Sequence, residues 1–200
     1  MKVWMHCLAL VLATAGLAAP RTVLACACCT NEGQRNVGTS ALDSGKRQQI
    51  ESLRFGGKAK LYTGEGDVEA VEGIVTPAGD YDMTAAWRDN RLVFSFRDRK
   101  GRTGTLALTR PNSIAMFHVD PRNGSDAGQG PTLYKEWKLS APPAATGVFA
   151  PGAGARHILT LIIRGRGNSC TDAGDFSHWT LVMQGPKANY TLFGELVTAQ

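Results

Sequence analysis

From Lys58 onward the chain alternates apolar and polar residues with a period of two, the spacing of a strand with one buried face. "RLVFSF" sets Leu92, Phe94 and Phe96 on one face and Val93 and Ser95 on the other. "DRKG" makes a turn, and "TGTLALT" then sets Leu106 and Leu108 on one face with threonines opposite, which predicts a hairpin. "KAKLYT", "DVEAVEGIVT" and "DYDMTAAW" precede this pair; "SIAMFHV", "LYKEWKL", "HILTLIIR", "HWTLVMQ" and "NYTLFGELV" follow it. Gly, Pro, Asn and Asp separate these runs at short intervals. The pattern predicts an all-β fold, an antiparallel barrel or barrel-like sandwich of about 8–10 short strands. No helical pattern falls between the strands, which excludes a parallel α/β sheet.

One short N-terminal helix is predicted in "ALDSGKRQQIESLRF", residues 41–55, where Leu42, Ile50 and Leu53 share a face. Asp43 or Ser44 caps its start, and Gly56 with Gly57 stops it. Residues 30–39 are polar and read as an extended lead-in. Three connections are long: residues 120–131, 141–155 and 165–177. The first two read as surface loops, the second with "GVF" as a short strand inside it. The third holds Cys170 and is the one in which function is expected.

The extreme N-terminus follows a different pattern. Lys2 precedes "CLALVLATAGLAA", residues 7–19, an apolar run of the length of a secretory signal and too short to span a bilayer. Cleavage after Ala25 exposes Cys26, and cleavage after Ala27 exposes Cys28. The expected organisation is a signal peptide over residues 1–25, a cysteine-containing extension with the short helix over 26–56, and a β domain over 57–200. The protein is expected to be periplasmic or extracellular. Val23, Leu24, Ala25 and Cys26 also resemble a bacterial lipobox, which implies a lipid anchor at Cys26 as an alternative. Loss of Lys2 and Arg21 with the signal leaves a smaller positive balance than the +5 of the whole chain. The basic residues are scattered apart from "RDRKGR" at 97–102, so nucleic-acid binding is not indicated, and no other run is long enough to span a membrane.

Four cysteines follow the signal: Cys26, Cys28, Cys29 and Cys170. In an oxidising compartment they read first as disulfide partners. A vicinal Cys28–Cys29 bridge is strained, so Cys29–Cys170 is expected, with Cys28 as the alternative partner. The same four thiolates, with His178, could bind copper or zinc, although the paired C-x2-C spacing is missing. A third reading makes Cys170 a nucleophile, His178 or His157 its base and Asp172 or Asp175 the orienting acid, without any surrounding family signature.

The remaining candidates have plainer readings. His157 and His118 share parity with apolar strand residues and read as partly buried structural histidines. His178 lies opposite the Trp179, Leu181 and Met183 face and reads as exposed. Trp87, Trp137 and Trp179 read as core or barrel-end packing. Asp120, Asn123 and Asp126 lack the ligand spacing of a calcium loop. Asn123 and Asn189 head glycosylation sequons. No catalytic motif, catalytic residue or cofactor is indicated. Small closed barrels enclose ligand cavities, so the functional expectation is a non-catalytic binding module for a small or apolar ligand. A thiolate metal or redox protein and a structural envelope protein are the alternatives.

Overall fold

The computed structural model describes residues 33–63, 78–121, 133–167 and 172–197. The signal segment, all the cysteines, the expected strand at 67–76, Asn123 and Asp126 lie outside them. The described chain forms β1 (Arg35–Ala41), α1 (Ser44–Ser52), β2 (Lys58–Thr63), β3 (Ala78–Arg88), β4 (Arg91–Asp98), β5 (Thr103–Thr109), β6 (Ser113–Val119), β7 (Leu133–Ala141), β8 (Pro143–Gly147), β9 (Ile158–Gly167), β10 (Phe176–Gln184) and β11 (Asn189–Glu195). The strands make one antiparallel sheet in the order β1-β6-β7-β9-β10-β11-β2-β3-β4-β5-β8. This is the expected all-β fold with one short helix, and among the described residues its hydrogen bonding does not close into a barrel.

The sheet encloses its core through two kinked strands. β7 continues into β8 with only Pro142 between them, and β5 continues into β6 through residues 110–112, which include Pro111. The first half of this long hairpin pairs Gly104 with Gly147 and Leu108 with Pro143; the second pairs Ala115 with Lys138 and Val119 with Tyr134. Proline lacks the amide donor that a ladder needs, so the strands bend there. β5 also pairs with β4, while β7 also pairs with β9. The kink therefore joins the two flanks of the sheet by chain continuity.

Inward residues from both flanks form one cluster. Trp137, Leu139, Leu159, Leu161, Ile163, Trp179, Leu181 and Leu192 meet Leu61, Phe94, Phe96, Leu106 and Leu108, all essentially inaccessible. The hairpin faces are those expected from "RLVFSF" and "TGTLALT". Trp137 and Trp179 lie in the core, and Trp87 is partly buried against it. Tyr81, Phe96 and Tyr190 pack round Phe149 at one end of the sheet, with centroids 5.2–5.9 Å from its ring. Phe149 reaches this place because Gly147 has φ +58°, and a Cβ there would lie 2.1 Å from the Thr103 carbonyl oxygen.

At the opposite end Phe55 meets Phe94 at 5.3 Å and Trp179 at 6.0 Å. It follows α1, whose Asp43 cap accepts a hydrogen bond from the Lys46 amide at 2.9 Å. α1 spans fewer residues than the 41–55 pattern because Leu42 and Leu53 enter the core as flanking extended chain. Two further strands were not expected. Residues 35–41, which begin in the extended lead-in and run past it, pair with β6, and residues 143–147 of the second long connection pair with β5. Both segments are rich in small or polar residues, so no alternation announced them.

The β4–β5 turn is closed by Asp98, which accepts bonds from the amides of Lys100 and Arg102 and from the Arg102 guanidinium. Burial alone would raise the Asp98 carboxyl, but these hydrogen bonds outweigh it and hold it below the usual carboxylate range. Its folded pKa lies below its unfolded one. The stability it contributes is therefore present above about pH 4 and lost as pH falls through the folded value. The difference in thermal midpoint between the native protein and Asp98→Asn is expected to be largest at pH 7 and to shrink towards zero near pH 2. In the core, Phe94→Ala is expected to cost about 3–5 kcal/mol in urea unfolding.

Candidate functional site

The third long connection is anchored from inside the sheet. Lys135, on the inner face of β7, is fully buried. Its Nζ donates to the Asp172 carbonyl at 2.7 Å and to Asp175 Oδ2 at 2.8 Å, and lies 4.8 Å from the centroid of Phe176. The Ala173 amide donates to Gln49 Oε1 of α1 at 2.7 Å. Gly167 leaves the space that Asp175 fills, since a Cβ there would sit 1.7 Å from Asp175 Oδ2. Residues 172–175 are thus held as a fixed turn that delivers the chain into β10.

β10 begins with an irregularity. Phe176 pairs with Gly165, yet His178 pairs with Arg164, so the strand bulges at Ser177. Phe176 and Trp179 point inward, while Ser177 and His178 are both exposed. Ser177 Oγ and His178 Nδ1 are hydrogen-bonded at 2.8 Å. Two grooves meet at this point. One, of about 370 Å³, is lined by Tyr134, Arg164, Gly165, Arg166, Asp175, Ser177 and His178. The other, of about 500 Å³, runs from Arg164 and His178 past Lys58 and Lys60 to Phe193, Glu195 and Val197.

The site gathers basic groups beside an apolar flank, with Glu136 opposite Arg164 and Glu195 opposite His178 on the neighbouring strands. Among the described residues Lys60, Arg164 and Arg166 make no ion pair. The neighbouring grooves over β2 to β5 differ, because Lys58–Asp82 and Arg99–Asp80 pair their charges there. Phe193 and Val197, on either side of Glu195 along the same groove, are 39 % and 53 % exposed. At the far side the Tyr134 hydroxyl donates to Glu136 Oε1 at 2.5 Å. Burial first, and then that bond to a carboxylate, push the Tyr134 phenol up to about 12. The groove therefore offers guanidinium, imidazole, hydroxyl and apolar groups on one surface.

The sequence-derived candidates separate in space. His178 is exposed, as expected, and belongs to the groove. His157 is buried and structural, its Nδ1 3.3 Å from the Gly154 carbonyl oxygen while its Nε2 accepts from the Lys187 amide at 3.3 Å. His118 lies on the inward face of β6, where burial lowers its pKa. Asp172 caps the turn through the Gly174 amide at 2.8 Å and Asp175 is engaged by Lys135, so neither orients His178. Asp120 is buried, and its carbonyl accepts from the Gly33 amide at 2.7 Å. Cys26, Cys28, Cys29 and Cys170 lie outside the described residues, as do the disulfide and the copper or zinc set built on them. Among the described residues no three His, Cys, Asp or Glu side chains converge as a metal site, and no helix is long and apolar enough to cross a membrane.

Arg164, Arg166 and Ser177 carry the groove without having been singled out by sequence reasoning. The available signal was "LIIRGRG", where arginines take the outward positions of a strand whose inward positions are apolar or glycine. Comparison with known proteins yields no matching family model, no matching curated protein and no matching solved structure.

The Lys135 anchor is testable apart from any ligand. Removing one partner of a buried pair strands the other charge. Asp175→Ala is expected to destabilise by about 3 kcal/mol, and Lys135→Met, which keeps the apolar stem without the charge, by clearly less. Chemical denaturation of both variants checks the order.

Proposed function

We propose that the protein is an exported, non-catalytic binding module that takes a small amphiphilic anion in the outer groove centred on Arg164 and His178. The observation that carries this reading is the meeting of cations that make no ion pair among the described residues with exposed apolar side chains. Arg164 sits where the two grooves meet, and Phe193 and Val197 flank one of them. A guanidinium recognises a carboxylate or related anion through paired hydrogen bonds. Phe193 and Val197 then cover a short apolar chain, and the Ser177 hydroxyl adds a bond to the headgroup. Packing favours the outer face over the interior, because Trp137, Trp179, Phe94 and Phe149 fill the space between the flanks. Export rests on the apolar run at residues 7–19.

Calorimetric titration with decanoate, decanol and acetate tests the reading. Saturable binding of decanoate, weakened by salt, is expected, with decanol and acetate much weaker. Arg164→Gln should lower decanoate affinity about tenfold or more while leaving the thermal midpoint nearly unchanged. Equal affinity in that variant, or no saturable binding of decanoate, would overturn the proposal.

A further inference from the structure

The two edges of the sheet are built differently. β8 is short, begins at Pro143, ends at Gly147 and runs on into the turn that seats Phe149. Such features keep a sheet edge from recruiting another strand. β1 has none of them. It is seven residues long, and among the described residues it pairs with β6 alone. Its outward-facing side chains are exposed, Val37 at 80 %, while Asn36 and Ser40 on the other face are half-buried. β1 carries no proline, no lysine and no inward-pointing charge.

The ladder shows which main-chain groups are free for pairing. The Leu42 amide donates to the Asn112 carbonyl at 2.9 Å, next to the register pair Ala41 and Ser113. Hydrogen-bonded positions alternate along an antiparallel strand. Asn36, Gly38 and Ser40 thus bond to β6, while Arg35, Val37, Thr39 and Ala41 turn their amides and carbonyls outward.

We infer that β1 is a self-association edge at which a second copy of this chain adds its own β1 antiparallel about a two-fold axis at Gly38. This register matches every outward group with an outward group: Val37 opposes Thr39 of the second copy and Arg35 opposes its Ala41. The charges also match. Arg35, which has no ion pair among the described residues, lies diagonal to Asp43 of the other copy, an exposed carboxylate just beyond the strand that also pairs with Lys46 of its own chain, and the axis repeats the contact at the other end. The two Val37 side chains also lie diagonal to one another and cover each other. The result is one sheet continuous through two molecules, with the Arg164 groove left open on each.

Sedimentation velocity of the exported protein across a concentration series, with amide exchange on the same samples, tests this. A concentration-dependent dimer is expected, with the Val37 and Thr39 amides slowing as it forms. Thr39→Pro removes an outward donor, and Val37→Lys places a charge at the two-fold. Each should give a monomer with nearly unchanged thermal midpoint, whereas Ser40→Pro, which removes a bond to β6, should lower it. A monomer at all concentrations would overturn the inference. So would a dimer that survives both Thr39→Pro and Val37→Lys, or a monomer whose Val37 and Thr39 amides are already protected, which would mean that the chain's own residues cover the edge.

Discussion

The bend between Ala141 and Pro143 sets the shape of the molecule. An eleven-stranded antiparallel sheet lying open would leave its apolar face in water. The kinked hairpin turns β8 towards β5 while β7 stays on β9, so the inward faces of the two flanks meet. Burial of Trp137, Trp179 and Phe94 against one another depends on that meeting. The hydrophobic effect supplies the driving force, but chain continuity at the prolines supplies the geometry.

The ends of the enclosed core need covering, and two local devices do it. Gly147 allows the backbone reversal that brings Phe149 onto Tyr81, Phe96 and Tyr190. Phe55, behind α1, closes the other end against Phe94 and Trp179. Residues 33–56 are thereby part of the same body as the strands that follow, through β1 at the sheet edge and Ile50, Leu53 and Phe55 in or against the core.

The outer groove depends on a buried charge. Lys135 holds the turn at residues 172–175 from within, and the turn fixes where β10 starts and hence where the bulge falls. Two consecutive side chains, Ser177 and His178, then share the outer face beside Arg164. A regular strand would have sent one of them inward. A polar interior contact thus shapes an exterior surface, and chain near the cysteine cluster is held at the same end. Gly33 bonds to Asp120 at the end of β6, and Asp172 bonds to Lys135 on the neighbouring β7.

The periodicity of the chain sufficed to predict the all-β class, the short helix near Asp43, the β4–β5 hairpin and the apolar faces that carry Phe94, Leu106 and Trp179. These features follow from period and local turn chemistry, which neighbouring residues carry by themselves. The burial of His157 and the exposure of His178 were legible for the same reason. β1 and β8 were not, because "RNVGTSA" and "PAATG" have little apolar pattern and become strands only when β6 and β5 offer them an edge. Arg164, Arg166 and Ser177 form one site only across two strands, β9 and β10, and the turn that precedes the bulge is held by Lys135, far away in sequence. Pairing partners, bulges and the meeting of the two flanks are set by long-range contacts, so only the tertiary structure decided them.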